Sequence, residues 1–452
     1  MGESIEIDSP ANNSYSMFQN INTHYIQPIR TFNRDARLFM WMTVINGVIF
    51  SGWQLFFNIY MLQSGVTREF LGIVNSLPAL SGLLLGIPIG RLSDRIGQRR
   101  TLIIGIIFSG LAFLGQVTFK QSALILIMSA LTGVFNMFLI VSISPLMMKL
   151  SDLHNRTLLF SLNYGLQTLS GAVGSLFAGQ LPAVFGSIFN VDPTSATAYQ
   201  VVLIATVLLG ITALIPLWMM REPETIPAEE TMPSAGTMET PQKVDAATTS
   251  PNSDLRRLIV KLATPNFLIG IGAAILIPYM NVFFKDRFHI SDSLLGLLFS
   301  LSSLFIGVGS IVAPRLTIQF GGKIRTVVIT QFISVIFMLM IGFVPSLLIA
   351  GISALMRSAL MNMSSPLYSA FCMEQTPERQ QGFVSSVMNV AWQVGWSVGP
   401  YISGVVQQKY GFSPLFIATS VIYLIAIGTT WIFFRDAESA KQPPLMAVTE
   451  KL

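Results

Sequence analysis

The chain has 452 residues, of which 52% are hydrophobic and only 11% charged, and its net charge is +5. Its mean hydropathy is positive, a composition that leaves a soluble domain too little polar surface and makes a lipid-facing exterior the default reading. The single cysteine, Cys372, excludes an intramolecular disulfide, and His24, His154 and His289 are too scattered for a metal site.

Taken in chain order, the polar stretch 1–34 has no early apolar core and does not read as a cleavable signal peptide. Apolar segments long enough to cross a bilayer, about 20 residues each, then centre near residues 50, 80, 110, 135, 170, 208, 275, 302, 335, 357, 395 and 423. The boundary between the ninth and tenth falls in a short gap at Val344–Ser346. Residues 222–253, rich in Pro, Thr, Ala, Ser and Glu, read as a disordered cytoplasmic linker. They divide a first six-helix bundle, 35–221, from a second, 254–435, with a polar tail at 436–452. The stretch from Asp254 to Leu262 reads as a short interfacial helix leading into span seven.

Lys and Arg set the orientation. With the N-terminus inside, twenty-one of the 27 fall in cytoplasmic segments and five in external ones (Arg68, Lys120, Lys285, Arg287, Lys409), with Arg357 alone inside a span. The positive-inside rule then places both termini in the cytoplasm. The basic balance is thus a topology signal, and no nucleic-acid partner is expected.

One charged turn interrupts the apolar pattern: Gly90-Arg-Leu-Ser-Asp-Arg-Ile-Gly-Gln-Arg-Arg100. It echoes 224 residues later, where Arg91 falls on Arg315, Leu92 on Leu316 and Gly97 on Gly321, while Asp94 falls on Ile318. At the same offset Gly72 matches Gly296, and Gly171, Ser175 and Gly179 match Gly395, Gly399 and Ser403. The chain therefore reads as a duplication. Small residues four apart share a helix face and let backbones approach; these ladders, with Gly82, Gly86 and Gly90, are seams either within a half or between halves.

Twelve spans, two six-helix repeats, a long central loop and the 90–100 turn together resemble the major facilitator superfamily over residues 35–434. The resemblance implies an all-α membrane fold of twelve helices in two pseudo-repeats. It also implies secondary transport by alternating access around a site on spans one, four, seven and ten. It assigns the Gly90, Asp94, Arg95, Gly97 and Arg99 turn a latch role. Asp94 would meet the N-terminus of span eleven near Gln381, where a helix dipole favours a carboxylate, with Arg95 and Arg99 as partners; Ile318 leaves the second copy without this acid.

Polar and aromatic side chains cluster on the implied helices: Asn46, Phe50, Trp53, Gln54 and Phe57 on span one, Thr132 and Asn136 on span four, Tyr279 and Asn281 on span seven, Arg357 and Asn362 on span ten. Spans five and eleven add Asn163, Gln167, Asn389, Trp392, Gln393 and Trp396. Any single Asn or Gln reads as interhelical glue before a ligand contact; their convergence raises the group, not each member. Arg357 either attracts an anionic or strongly polar substrate group or bonds to carbonyls; Glu374, 17 residues away along one helix, stands roughly 25 Å off and cannot pair with it. No acid falls at the middle of a span, which weighs against proton-coupled export of cationic drugs. The Gly-Pro pair common in span five of family drug exporters is also absent, with Gly174-Ser175 in its place, and span four lacks their Arg.

No phosphate-binding loop is present, since Gly322-Lys323 lacks both the upstream Gly and the following Ser or Thr. No nucleophile–base set appears either. The expectation is a non-enzymatic, cofactor-free transporter of a small organic solute in the inner membrane, working as an exporter. Import or facilitated movement of a polar or anionic metabolite is the alternative, and a membrane receptor is the alternative from another class. A coupling ion such as a proton is left open, and a monomer is expected.

Overall fold

The computed structural model describes residues 32–152, 155–221, 253–377 and 380–439. Most of the N-terminal tail, the linker and the C-terminal tail lie outside the described residues, as does Arg379. Twelve long helical segments run back and forth between two ends of the bundle. Spans one to four are Arg34–Gln63, Arg68–Ile96, Gln98–Thr118 and Ser122–Leu150. Span five is Arg156–Ala178 continued by Leu181–Phe189, and span six is Ala196–Ile211 continued by Leu214–Met219. Span seven joins Ser253–Leu276, a 3-10 turn Ile277–Tyr279 and Met280–Phe288. Spans eight to twelve are Asp292–Gln319, Lys323–Phe343, Leu347–Gln375, Gln381–Tyr410 and Ser413–Ser439.

Eleven of these are long and apolar enough to cross a membrane. Span eleven has the length but not the apolarity, because Gln381, Asn389, Gln393, Gln407 and Gln408 interrupt it. It packs between spans seven and two, which shield that polarity from lipid. The stretch from Asp254 to Leu262, expected as a short interfacial helix leading into span seven, is continuous with that span, Pro265 included. The break in that span comes lower, where Pro278 supplies no N–H.

Four helix starts have a side-chain cap. Asn33, Thr67, Ser195 and Ser291 are side-chain N-caps of spans one, two, six and eight. Thr67 and Ser291 are related by the 224-residue repeat. Gly97, with φ of 92°, turns span two into span three; Gly321 and Gly322, with φ of 71° and 144°, do the same in the second copy.

The glycine ladders serve both kinds of seam. Within the first half, a Cβ on Gly174 would stand 2.3 Å from Ser51 Oγ and 2.7 Å from Val48 Cα, so spans five and one touch backbone to backbone. Span eleven repeats this on span seven, with Gly395 at 2.6 Å from Ile271 N. Between the halves, Gly72 would meet Pro400 O at 2.7 Å, Gly404 would meet Arg68 O at 2.3 Å, and Gly296 would meet Ser175 O at 2.5 Å. All the inter-half approaches lie toward the end carrying the 64–67 and 289–291 turns, here termed the distal end. The opposite end, with the Gly97 turn, is termed the terminal end.

Candidate functional site: a cavity in the first half and a seam across both

Span one rises through the first half with Asn46, Phe50 and Trp53 on one face. Span four brings Thr132 and Asn136 opposite, and span three brings Ser109 and Phe113. Together they line a cavity of about 260 Å³. Trp53 is fixed there by stacking on Phe57, with ring centroids 4.6 Å apart, and by Phe113 at 4.3 Å. Thr132 is already satisfied, accepting from Gln116 Nε2 at 2.6 Å and donating to Met128 O at 2.9 Å. The carboxamides of Asn46 and Asn136 have no hydrogen-bond partner among the described residues. Two free amides, hydroxyls and a wall of aromatic rings suit a modest-sized uncharged or aromatic organic molecule.

The other sequence candidates are dispersed. Asn281 is 1% exposed and donates to Leu55 O at 2.9 Å and Gln54 O at 3.3 Å, while Tyr279 donates to Pro400 O at 3.0 Å. Both are therefore bound up in helix packing, Asn281 between the halves. Asn362 folds back on Ser358 O at 2.8 Å. Gln54, Gln167 and Asn389 are exposed, Gln393 is half-buried, and Trp392 lies against Gly270 and 6.3 Å from Trp396. Arg357 is 8% exposed; its Nη2 reaches Tyr423 Oη at 3.4 Å and its Nε is buried without a partner. Glu374 instead pairs with Lys323.

At the terminal end the latch residues stand apart. Asp94 and Arg95 are exposed, and Asp94 has no side-chain partner among the described residues. Arg99 does not reach it: its guanidinium caps the end of span six, on Leu217 O at 3.0 Å and Trp218 O at 2.8 Å. Gly90 has nothing within 4 Å of its Cβ position, so the close packing expected of it is unused here, whereas Gly82 and Gly86 hold Met137 of span four. The start of span eleven is equally open, with Gly382 uncovered and Phe383 exposed.

The distal seam was missed from sequence. Arg68, at the first helical position of span two, pairs with Asp286 at 2.6 Å and donates to Gln407 at 3.2 Å, and its backbone N–H donates to Gln408 at 3.0 Å. Asp292, the repeat-equivalent residue at the start of span eight, accepts from Tyr199 of the first half at 3.1 Å and pairs with Lys285 at 2.7 Å. Asn58 donates to Pro278 O, the carbonyl at the break in span seven, at 2.6 Å. Ser293 reaches Gln180 at 2.8 Å, and Ser76 Oγ accepts from Tyr401 N at 3.0 Å. These and the Asn281 bonds join the halves toward the distal end, with Arg68 also over the Phe412 ring and Lys285 over the Tyr199 ring. The Thr67-Arg68 and Ser291-Asp292 pairs at the repeat offset were the signal available for finding them.

Two six-helix halves whose described polar contacts and closest backbone approaches lie toward one end fit the class of a membrane transporter that moves a small solute between two faces. The chain belongs to the Major Facilitator Superfamily, whose family profile matches residues 39–260 and 262–450. It is similar to the multidrug resistance protein MdtG of Klebsiella pneumoniae, 24% identical over 88% of this chain and 93% of that protein. The match to MdtG of Proteus mirabilis, 23% identical, covers 38% of this chain and 43% of that protein. In fold it is similar to a bacterial homologue of the human lysosomal transporter Spinster in an inward-facing, unoccupied conformation. The TM-score is 0.71 at 14% identity, over 91% of this chain and 98% of that one.

Proposed function

We propose that the protein exports a small, uncharged or aromatic organic solute across the inner membrane, with its distal end external and both termini cytoplasmic. The observation that carries the substrate class is the first-half cavity, where the unpaired amides of Asn46 and Asn136 stand beside Trp53, Phe50 and Phe113. The concentration of Lys and Arg at the terminal end supports the orientation, and the MdtG relatives support the direction. In that orientation the concentration of inter-half contacts at the distal end supports a state closed to the outside, which would receive solute from the cytoplasm. Alternating access then requires the distal seam to part and the Asp94 turn to close on span eleven.

Arg357 supports a second reading. A buried guanidinium with an unpartnered Nε and no acid partner favours an anionic group, which would make the cargo an organic anion.

The test is accumulation of uncharged aromatic compounds and of organic anions in cells lacking their own efflux systems. Export of uncharged compounds that falls in Asn46→Ala and Asn136→Ala but survives Arg357→Gln supports the first reading. Anion export lost in Arg357→Gln and untouched by the Asn variants overturns it. Reduced accumulation of neither class would remove the proposal.

A further inference from the structure

The second half buries a charge that none of its own acids answers. No Asp or Glu occurs at 255–285, 293–373 or 379–435, which together make up nearly all of its six spans. Of the acids flanking these stretches, Asp286, Asp292 and Glu374 are engaged by Arg68, Lys285 and Lys323. Arg357, in the middle of span ten, is 8% exposed. A guanidinium keeps its proton at any physiological pH, and a desolvated charge persists only against a counter-charge or a full set of acceptors. Among the described residues, the 3.4 Å contact of Nη2 with Tyr423 Oη is its one hydrogen bond, and Nε is buried without a partner.

The groups beside it are donors too. Tyr423 is buried and accepts from Arg357, so its own hydroxyl hydrogen is left without an acceptor among the described residues. Ser420, one turn earlier on the same face of span twelve, is 3% exposed and its Oγ has no partner. One buried acceptor in this half is also unpartnered, Gln331 Oε1, but its amide is tied by Nε2 to Ser364 at 3.0 Å. Ser364 lies two turns beyond Arg357 along span ten, roughly 10 Å away, and helix side chains lean toward the N-terminus, away from it. That carbonyl therefore does not answer the guanidinium.

We propose that the second half holds a resident monovalent inorganic anion, chloride in the cell, on Arg357 and the hydroxyls of Tyr423 and Ser420. Such an ion is small enough for a packed bundle, and its bonds to N–H and O–H donors are charge-assisted. It neutralises the guanidinium and links span ten to span twelve, so it is a structural ligand and not cargo. The inference rests on neither reading of the cargo given above.

The test is equilibrium dialysis of radioactive chloride against the purified full-length protein in sodium gluconate, with thermal unfolding followed on the same samples. Saturable binding approaching one ion per chain is expected, with a higher unfolding temperature in chloride than in gluconate at equal ionic strength. Arg357→Met removes the buried charge; it is expected to lose the bound chloride and to unfold at the same temperature in both salts. Tyr423→Phe and Ser420→Ala are each expected to weaken binding several-fold. Both keep the guanidinium, so they test the site even if Arg357→Met does not fold. Absence of saturable binding in the wild type overturns the inference and leaves export of uncharged solutes standing. Chloride binding retained in Arg357→Met, or untouched by both span-twelve variants, overturns it as well. Displacement of the chloride by benzoate would put the guanidinium in a site open to organic anions, and would overturn the residence of the ion.

Discussion

Arg68 and Asp292 occupy the same place in the two repeats, the first helical position after a capping hydroxyl, yet they hold opposite corners of the distal seam by different means. At Arg68 the ion pair is open to solvent, with side chains 27% and 43% exposed, and backbone and glutamine bonds accompany it. At Asp292 the carboxylate is buried, 9% exposed, between an ammonium and a phenol. One corner is therefore a solvated clasp backed by close backbone packing, and the other a desolvated charge that must stay paired. Duplication preserved the position and the cap, while the charge inverted.

The comparison breaks most visibly at Asp292. Replacing it by alanine leaves Lys285 partly buried without its counter-ion, and breaking one side of such a pair costs about 3–5 kcal/mol. Asp292→Ala is expected to lower the thermal unfolding temperature in detergent markedly, and Asp292→Ala/Lys285→Met to recover much of the loss. An unchanged unfolding temperature in the single variant would mean that the buried pair adds nothing.

Beside the Arg68 corner, steric fit is expected to matter more than charge. A side chain at Gly404 enters the Arg68 carbonyl and Gly72, backbone that cannot rotate away, and overpacking of this kind costs about 1–3 kcal/mol. Gly404→Val should therefore shift the population toward a distal-open state by about tenfold or more. The reporter is Ser76→Cys, now buried under span eleven; its labelling rate should rise in the Gly404→Val background. The native Cys372 is buried and adds little background. No change in labelling would mean that the seam tolerates the bulk.

The terminal end offers a third contrast, since its acid is unpaired in this state. Asp94→Asn is expected to leave thermal stability unchanged while slowing transport. A carboxylate at a helix N-terminus contributes about 0.3–1 kcal/mol, up to ~2 in partly buried geometry. Turnover equal to wild type would remove the latch role from Asp94.

The parts legible in sequence were those with local causes. Span positions follow from runs of apolar residues, and the turns at Gly97 and Gly321 follow from residues that accept positive φ. Asn46, Trp53 and Asn136 meet because they sit on faces that a helical period predicts. What escaped depended on partners remote in sequence. Asn281 is taken up by carbonyls of span one, and Arg357 finds a tyrosine 66 residues away. Whether a glycine ladder faces its own half or the other depends on which helix packs against it, which spacing alone does not tell. Asp292 gave no signal, because burial at a helix start is invisible until the facing half is placed over it.

The smallest effect is expected at Arg68 itself. Its ion pair with Asp286 is solvated on both sides, and exposed pairs contribute about 0.2–1 kcal/mol. The backbone N–H bond to Gln408 does not require the side chain, and neither does the Gly72–Gly404 approach. Arg68→Ala should therefore raise Ser76→Cys labelling by no more than a few-fold, and added salt should shrink the difference from wild type. Lys285 and Asp292, screened by burial, should show no such salt dependence. If Arg68→Ala opened the seam as far as Asp292→Ala, the clasp would be the principal restraint and the contrast between the two corners would collapse.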